Sequence, residues 1–296
     1  MSVFVRQNSQ ECHFSTSESW VILSPIEQSI KQKIEAAGTP LKDWGINIYR
    51  GILTGYNEAF IIDGKKKDEL IAEDPKSAEI IRPILRGRDI KRYSCEFADL
   101  YIITTFPSLK IDIEQYQAIK LHLLGFGYDR LKQTGDLGAR KKTNNQWFET
   151  QDTISYSDDF YRHKIIYPEM TKFLNFYYDN KNFLVNNKCF ILSGEKIYFL
   201  IAFLNSSLFK FVFKDDFPEL LGGTRELRKV FLEQIRVKTV SEEINTNFKD
   251  LVLKCQNNYE NKLPSKDLEI IIDNLIFNLY GLSEVEKEMI GFIEIL

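Results

Sequence analysis

The sequence predicts a mixed α/β fold of the α+β kind, a mixed-sheet body carrying a helical C-terminal segment. Three observations predict it. Short apolar runs of strand length alternate with helical segments through the first two thirds of the chain. From Ser241 onward, apolar residues recur at helical spacing between clear start and stop signals. The composition, 44% hydrophobic and 27% charged, is that of a folded globular domain and excludes a disordered or fibrous chain. A chain of 296 residues buries roughly three quarters of its unfolded surface, so a large core is available.

The elements follow in order. Residues 1–19 are polar and rich in Ser and Thr, and read as a flexible lead-in or linker. Ser24, Pro25 and Glu27 form an N-cap, a first-turn proline and a capping box for a helix over Pro25–Ala37, with Gly38 as its left-handed stop. Ile46–Tyr49 and Ala59–Ile62 read as strands around the turn Thr54-Gly55-Tyr56-Asn57. Glu69–Leu85 reads as two short helices broken at Asp74-Pro75, and Gly87 ends the segment. Leu100–Thr104 is a buried strand, and Asp112–Leu124 an amphipathic helix. Residues 125–153 form a long polar, glycine-containing stretch of the kind that is usually functional or disordered. Strands return at Lys164–Tyr167, Phe173–Tyr178 and Cys189–Leu192, before a strongly apolar helix over Ile197–Phe213 that Asn205, Ser206 and Ser207 interrupt. Its aromatic stripe reads as core. Asp215–Arg225 is an exposed loop, and helices follow over Glu242–Asn258, Asp267–Tyr280 and Glu284–Ile295. The expected division is 1–19 as linker, 20–240 as the main body, and 241–296 as a helical segment packing on it.

Several classes are set aside. No run approaches the ~18 continuous apolar residues of a membrane span, and the N-terminus lacks the apolar stretch of a secretory signal, so a cytoplasmic protein is expected. Cys12, Cys95, Cys189 and Cys255 form no close pair, and His13, His122 and His163 supply no ligand spacing, so no metal site is expected. Gly125-Phe126-Gly127 follows a helix and lacks a third glycine, which argues against a nucleotide-binding loop. Asp63-Gly64-Lys65 has half of a nuclease metal motif but reads more simply as a turn. No Asn-Pro-Pro-aromatic, GxSxG, HExxH or Walker sequence occurs. No catalytic residue is therefore assigned.

What remains is charge placement. The net charge of -3 argues against polyanion binding by the whole surface, but it is unevenly spread. Arg82–Lys142 holds twelve Lys/Arg against seven Asp/Glu, whereas Ser241–Leu296 holds five against eleven. Arg82, Arg86, Arg88, Lys91 and Arg92 fall within eleven residues, and Arg140, Lys141 and Lys142 precede Asn144, Asn145, Gln146 and Trp147. Arg pairs bidentately with guanine, Asn and Gln with adenine, and Lys with phosphate. The DNA-contacting set expected from these segments is Thr54, Tyr56, Asn57, Arg86, Arg88, Lys91, Arg92, Arg140, Lys141, Lys142, Asn144, Asn145, Trp147, Lys172 and Arg225. Taken singly, each patch reads more readily as a solvated charged face; it is their combination with glycine-hinged loops on an acidic chain that makes the binding reading competitive.

The blocks IYRGILTGYNEAFIID (Ile48–Asp63), IIRPILRGRDIKRY (Ile80–Tyr93), KIIYPEM (Lys164–Met170), NNKCFILSGEKIYFLIAFLNSSLFKFVF (Asn186–Phe213) and IIDNLIFNLYGLSEVEKEMI (Ile271–Ile290) resemble, in this order, the TaqI-like C-terminal specificity domain. That domain follows the catalytic part of adenine-N6 DNA methyltransferases and type IIG restriction–modification enzymes. The resemblance implies a target-recognition domain that binds double-stranded DNA and works with a methyltransferase domain in cis or in trans. It places S-adenosylmethionine, and Mg²⁺ where the parent also cleaves DNA, in that parent and no cofactor in this chain. Two other readings stay open: a protein-interaction module docking through the acidic C-terminal helices, and a nuclease or methyltransferase with an unrecognised motif.

Overall fold

The computed structural model describes residues 23–292, except the side chains of residues 212–216. The expected linker 1–19, Cys12, His13, the Phe213 side chain and the end of the last helix lie outside the described residues. In chain order the principal elements are α1 (Pro25–Ala37), β1 (Asn47–Arg50), β2 (Ile61–Asp63), α2 (Gly64–Glu73), β3 (Ile81–Leu85), β4 (Leu100–Ile103) and α3 (Gln117–Leu124). They continue with β5 (Lys164–Pro168), β6 (Tyr177–Asp179), β7 (Leu184–Val185), β8 (Cys189–Ser193), α4 (Ile197–Leu204), α5 (Ser207–Asp216), α6 (Glu242–Glu260), α7 (Lys266–Leu279) and α8 (Glu284–Ile290). The fold is mixed α/β, as the sequence predicts.

Two four-stranded sheets carry the body. The central sheet runs β6-β5-β8-β1 with every neighbour antiparallel. The outer sheet runs β7-β3-β4-β2, with β7 parallel to β3 and the remaining pairs antiparallel. Side chains alternate across a strand, so β8 sends Phe190 and Leu192 towards the helices and Cys189 and Ile191 towards the outer sheet. β5 likewise divides Ile165 and Tyr167 from Ile166. The outer sheet turns Ile102 inward and Ile103 outward, onto Leu70 of α2 and Ile119 and Leu123 of α3. The result is four layers, with α1 and α4–α8 on one side and α2, α3 and the long loop on the other. A sheet covered on both faces needs unbroken apolar strands, which is why KIIYP and CFILS read so plainly.

The seam between the sheets depends on Gly51. Gly51 N donates to Cys189 O and Ile52 N to Val185 O, both at 2.8 Å, carrying the chain from the central sheet to the outer one. A Cβ on Gly51 would lie 2.1 Å from Asn186 O. Space rather than a positive φ therefore requires glycine here. Gly38 corrects the expected helix stop in the same way: its backbone is extended, and it pairs with Lys238 in a two-stranded ribbon.

Tertiary packing overrides other local expectations. Ile81–Leu85 is a strand, because its apolar residues meet both faces of the outer sheet. Asn57–Phe60 forms a helical turn before β2, and Asp63 caps α2 by accepting from Lys66 N. The second of the returning strands, expected over Phe173–Tyr178, is displaced to Tyr177–Asp179. The apolar helix divides into α4 and α5, since Asn205 uses its side chain on the Phe176 backbone and Ser206 caps α5.

Two buried polar clusters tie the layers. Lys164 and Asp179 pair at 2.5 Å with both side chains sealed from water. Lys164 also donates to Phe160 O, and Asp179 accepts from Lys181 N and Phe183 N, so few of their bonding directions are left empty. On the helical side, Glu269 of α7 takes Arg92 and the Tyr259 hydroxyl, while Asp273 accepts from Ser207 N and Oγ. Burial raises the Asp273 pKa to about 6, against the pull of the Ser207 hydrogen bonds and Arg92.

Gly51→Ala is expected to destabilise the protein by about 3 kcal/mol in urea unfolding, through overpacking of the seam; an unchanged midpoint would contradict this. For Asp273, the folded carboxyl holds its proton above the unfolded value of about 3.9. Its stabilising contribution is therefore full below pH ~4 and lost as pH rises through ~6. The stability difference between wild type and Asp273→Asn should change by on the order of 2 kcal/mol between pH ~4 and ~7. A difference constant with pH would refute the assignment.

Candidate nucleic-acid interface

With both faces of the central sheet covered, only its strand ends reach water. At one end β1 finishes at Arg50 opposite Phe190, and β5 finishes at Pro168 opposite Cys189. Arg50, the Pro168–Met170 corner and Lys188 thus emerge together. Glu169 joins them: Lys188 Nζ lies 3.2 Å and an Arg50 nitrogen 4.0 Å from its carboxylate, and Arg50 Nε also donates to Asn187 O. Beside them opens a groove of about 560 Å³ lined by Arg88, Lys91, Glu169, Met170, Asn175 and Lys188. Three cations face one carboxylate there. Arg88 is exposed and makes no hydrogen bond or ion pair among the described residues.

The basic strip extends from the groove in both directions. Thr171 pairs with Arg225 in a short ribbon, and Lys172 Nζ lies beside Gly222 in the adjoining turn. In the other direction, Arg50 and Lys141 both act on the half-buried Asp152, whose pKa burial raises and these two cations draw back. Asp152 accepts from Leu53 N, which brings the strip to the Thr54–Asn57 turn.

That turn and the long polar stretch are organised by Arg140. Its guanidinium is buried and donates to four carbonyls: Leu131 (2.7 Å), Thr54 (2.9 Å), Glu149 (2.8 Å) and Trp147 (2.7 Å). Burial, with Arg130 nearby, lowers its pKa to about 10, so it stays charged at neutral pH. Arg140 therefore cannot serve as a DNA contact. Four donors aimed at four carbonyls hold residues 131–149 against the turn, so the stretch is ordered without much regular secondary structure.

Other expected contacts are also turned inward. Thr54 is buried and its hydroxyl donates to Asn57 Oδ1. Asn145 donates to the carbonyls of Thr150 and Gln151. Trp147 packs against Tyr128 and Phe148. Arg86 is held by both carboxylate oxygens of Asp89, and Arg92 faces Glu269 of α7. Arg82 donates to three carbonyls of its own segment. Asn57, Arg88, Lys141, Lys142, Asn144 and Lys172 are exposed. Tyr56 is half-buried under the Arg130 guanidinium, Lys91 pairs with Glu96, and Arg225 pairs with Glu219. Arg50 and Lys188 were missed by reading runs of charge, since each is a single cation at a strand end; the nearby Gly51 and the Asn186-Asn187 turn were the available signals. His122 and His163 bond Ala59 O and the Tyr178 hydroxyl. Gly125 closes α3, an end that presents carbonyls rather than phosphate-binding N–H groups.

A family model described as the TaqI-like C-terminal specificity domain matches residues 82–237, more than half of the sequence. The chain belongs to this family. This specificity domain is 24% identical over 240 residues to the type II methyltransferase M.MjaIV of Methanocaldococcus jannaschii, covering 76% of each chain. It is 20% identical over 282 residues to the type II methyltransferase M.PaeR7I of Pseudomonas aeruginosa, covering 93% of this chain and 45% of the relative. Its fold is shared with the type IIL restriction–modification enzyme MmeI, solved with DNA (TM-score 0.58, 14% identity, 85% of this chain and 35% of MmeI). It is also shared with the type IIG restriction endonuclease BpuSI (TM-score 0.52, 14% identity, 87% of this chain and 33% of BpuSI). The specificity domain thus spans about a third of each solved relative. No helix among the described residues is long and apolar enough to cross a membrane, and no group of His, Cys, Asp and Glu among them has the arrangement of a metal site.

Arg140→Lys replaces a fork of donors with a point charge that cannot meet four carbonyls. It should cost about 2–4 kcal/mol of stability and expose Trp147 and Phe148 to chymotrypsin, whereas Lys141→Ala leaves both readouts unchanged. Equal digestion of the two variants would remove Arg140 from this role.

Proposed function

We propose that this specificity domain reads a duplex DNA sequence on behalf of an adenine-N6 methyltransferase. The observation that carries the reading is the row of cations along the sheet's end, running from Lys141 through Arg50, Lys188 and Arg88 to Lys172 with Asp152 and Glu169 set between them, on a chain of net charge -3. Arg88, at the mouth of a groove and without a partner among the described residues, is the best-placed base reader; the bidentate contact of arginine with guanine fits it. Lys141, Lys142 and Lys172, without ion pairs among the described residues, suit phosphates. Asn57 and Asn144 are the exposed amides of the same face.

Catalysis belongs to a methyltransferase domain, in cis or in trans, which binds S-adenosylmethionine and, where the parent also cleaves, Mg²⁺. The names of M.MjaIV and M.PaeR7I support this pairing, and those of MmeI and BpuSI support a restriction–modification setting. Such an enzyme works on DNA in the cytoplasm. The C-terminal helices are proposed to stand away from the phosphates: their Glu269 and Asp273 are engaged by Arg92 and Ser207.

Binding is measured on a duplex taken from a randomised-site selection. Arg88→Ala should cost about 1–3 kcal/mol and relax specificity at one base pair. Lys141→Ala should weaken all duplexes alike and reduce the salt slope by about 1. If no duplex is enriched with the chain joined to its catalytic partner, the reading is wrong.

A further inference from the structure

Leu137 and Leu221 are the two most exposed large apolar side chains among the described residues, both fully open to water. Each sits at a hairpin tip, and each is followed by glycine. The first tip is firmly built. Ala139 N donates to Asp136 O (3.0 Å), Gly135 N to Arg140 O (3.0 Å), Arg140 N to Lys132 O (3.1 Å) and Arg130 to Gly138 O (3.0 Å). Gly138, at φ +84°, occupies the third position of that turn, where a type II turn requires positive φ. The second tip is a 3-10 turn over Leu221–Gly223: Leu220 N donates to Thr224 O (2.7 Å), Glu219 bridges to Arg225, and Gly222 has φ +74°.

Turn tips ordinarily carry Gly, Pro, Asn, Asp or Ser, and a leucine there contributes nothing to the core. Two such leucines stand at the two ends of one cationic strip. Lys141 and Lys142 follow the first, with Asp136 as the nearby acid; Lys172 and Arg225 border the second, with Glu219 as the acid.

We infer that Leu137 and Leu221 are apolar wedges, each pressing between adjacent base pairs at one end of the bound site. The inference rests on the DNA reading above and adds deformation of the duplex to it. Proteins that kink DNA insert leucine and similar side chains between base steps, and pyrimidine–purine steps open most easily. Lys141 and Lys142 beside the first tip and Lys172 beside the second would hold the phosphates around the opened step, and the turns are hydrogen-bonded before binding.

The full chain, joined to its catalytic partner, is tested on a selected duplex carrying 2-aminopurine at successive positions. Wild type should raise the fluorescence at two separate steps. Leu137→Ala should abolish one rise and Leu221→Ala the other, each lowering affinity about tenfold with the salt slope unchanged. Leu137→Phe and Leu221→Phe should keep both rises, and the alanine variants should melt like wild type. If wild type binds its duplex without any rise, or both alanine variants keep both rises, the wedges fall and the DNA reading stands. If no duplex is selected, the DNA reading itself falls. If the alanine variants bind DNA normally but lose a separately expressed methyltransferase polypeptide, the tips are protein contacts and the inference is overturned.

Discussion

A four-stranded antiparallel sheet covered on both faces is the constraint on which this protein is built. With helices against one face and a second sheet against the other, its strands have no side open to water. Charge survives inside it only where Lys164 and Asp179 satisfy one another and the neighbouring backbone. Polar chemistry is displaced to the strand ends, and the end formed by Arg50, Pro168 and Cys189 becomes the basic surface. Gly51 makes the arrangement possible, since the chain changes sheets there with no room for a Cβ.

The arginines of this chain divide by what surrounds them. Arg140 is spent on four carbonyls, and in return a long segment poor in helix and strand holds one conformation. Arg86 locks its own corner through Asp89, and Arg92 fastens that corner to the C-terminal helices through Glu269. These fixed arginines flank Arg88, which lies between them in sequence and makes no hydrogen bond or ion pair among the described residues. A recognition surface needs such rigidity, because a base reader displaced by an ångström loses its bidentate geometry.

Membership of the TaqI-like specificity family fits this division of labour. The fold is shared with MmeI and BpuSI although only 14% of the residues are identical. Fold and readout are separable because the strands answer to burial, and the strand ends and hairpins answer to the partner.

The sequence by itself determined the mixed fold class, the capped first helix, the helical C-terminal segment and the family, all of which depend on local patterns. Apolar runs such as KIIYP and CFILS, and caps such as Ser24 with Glu27, carry their meaning within a few residues. Only the tertiary structure decided that Ile81–Leu85 is a strand and that Gly51 is there for space. It alone separated Arg88 from Arg140, two arginines that look alike in a run of basic residues. Whether a guanidinium meets water or four carbonyls depends on Leu131, Thr54, Trp147 and Glu149 converging from distant parts of the chain. Local sequence records propensity and charge, whereas burial and partnership are properties of segments brought together by folding.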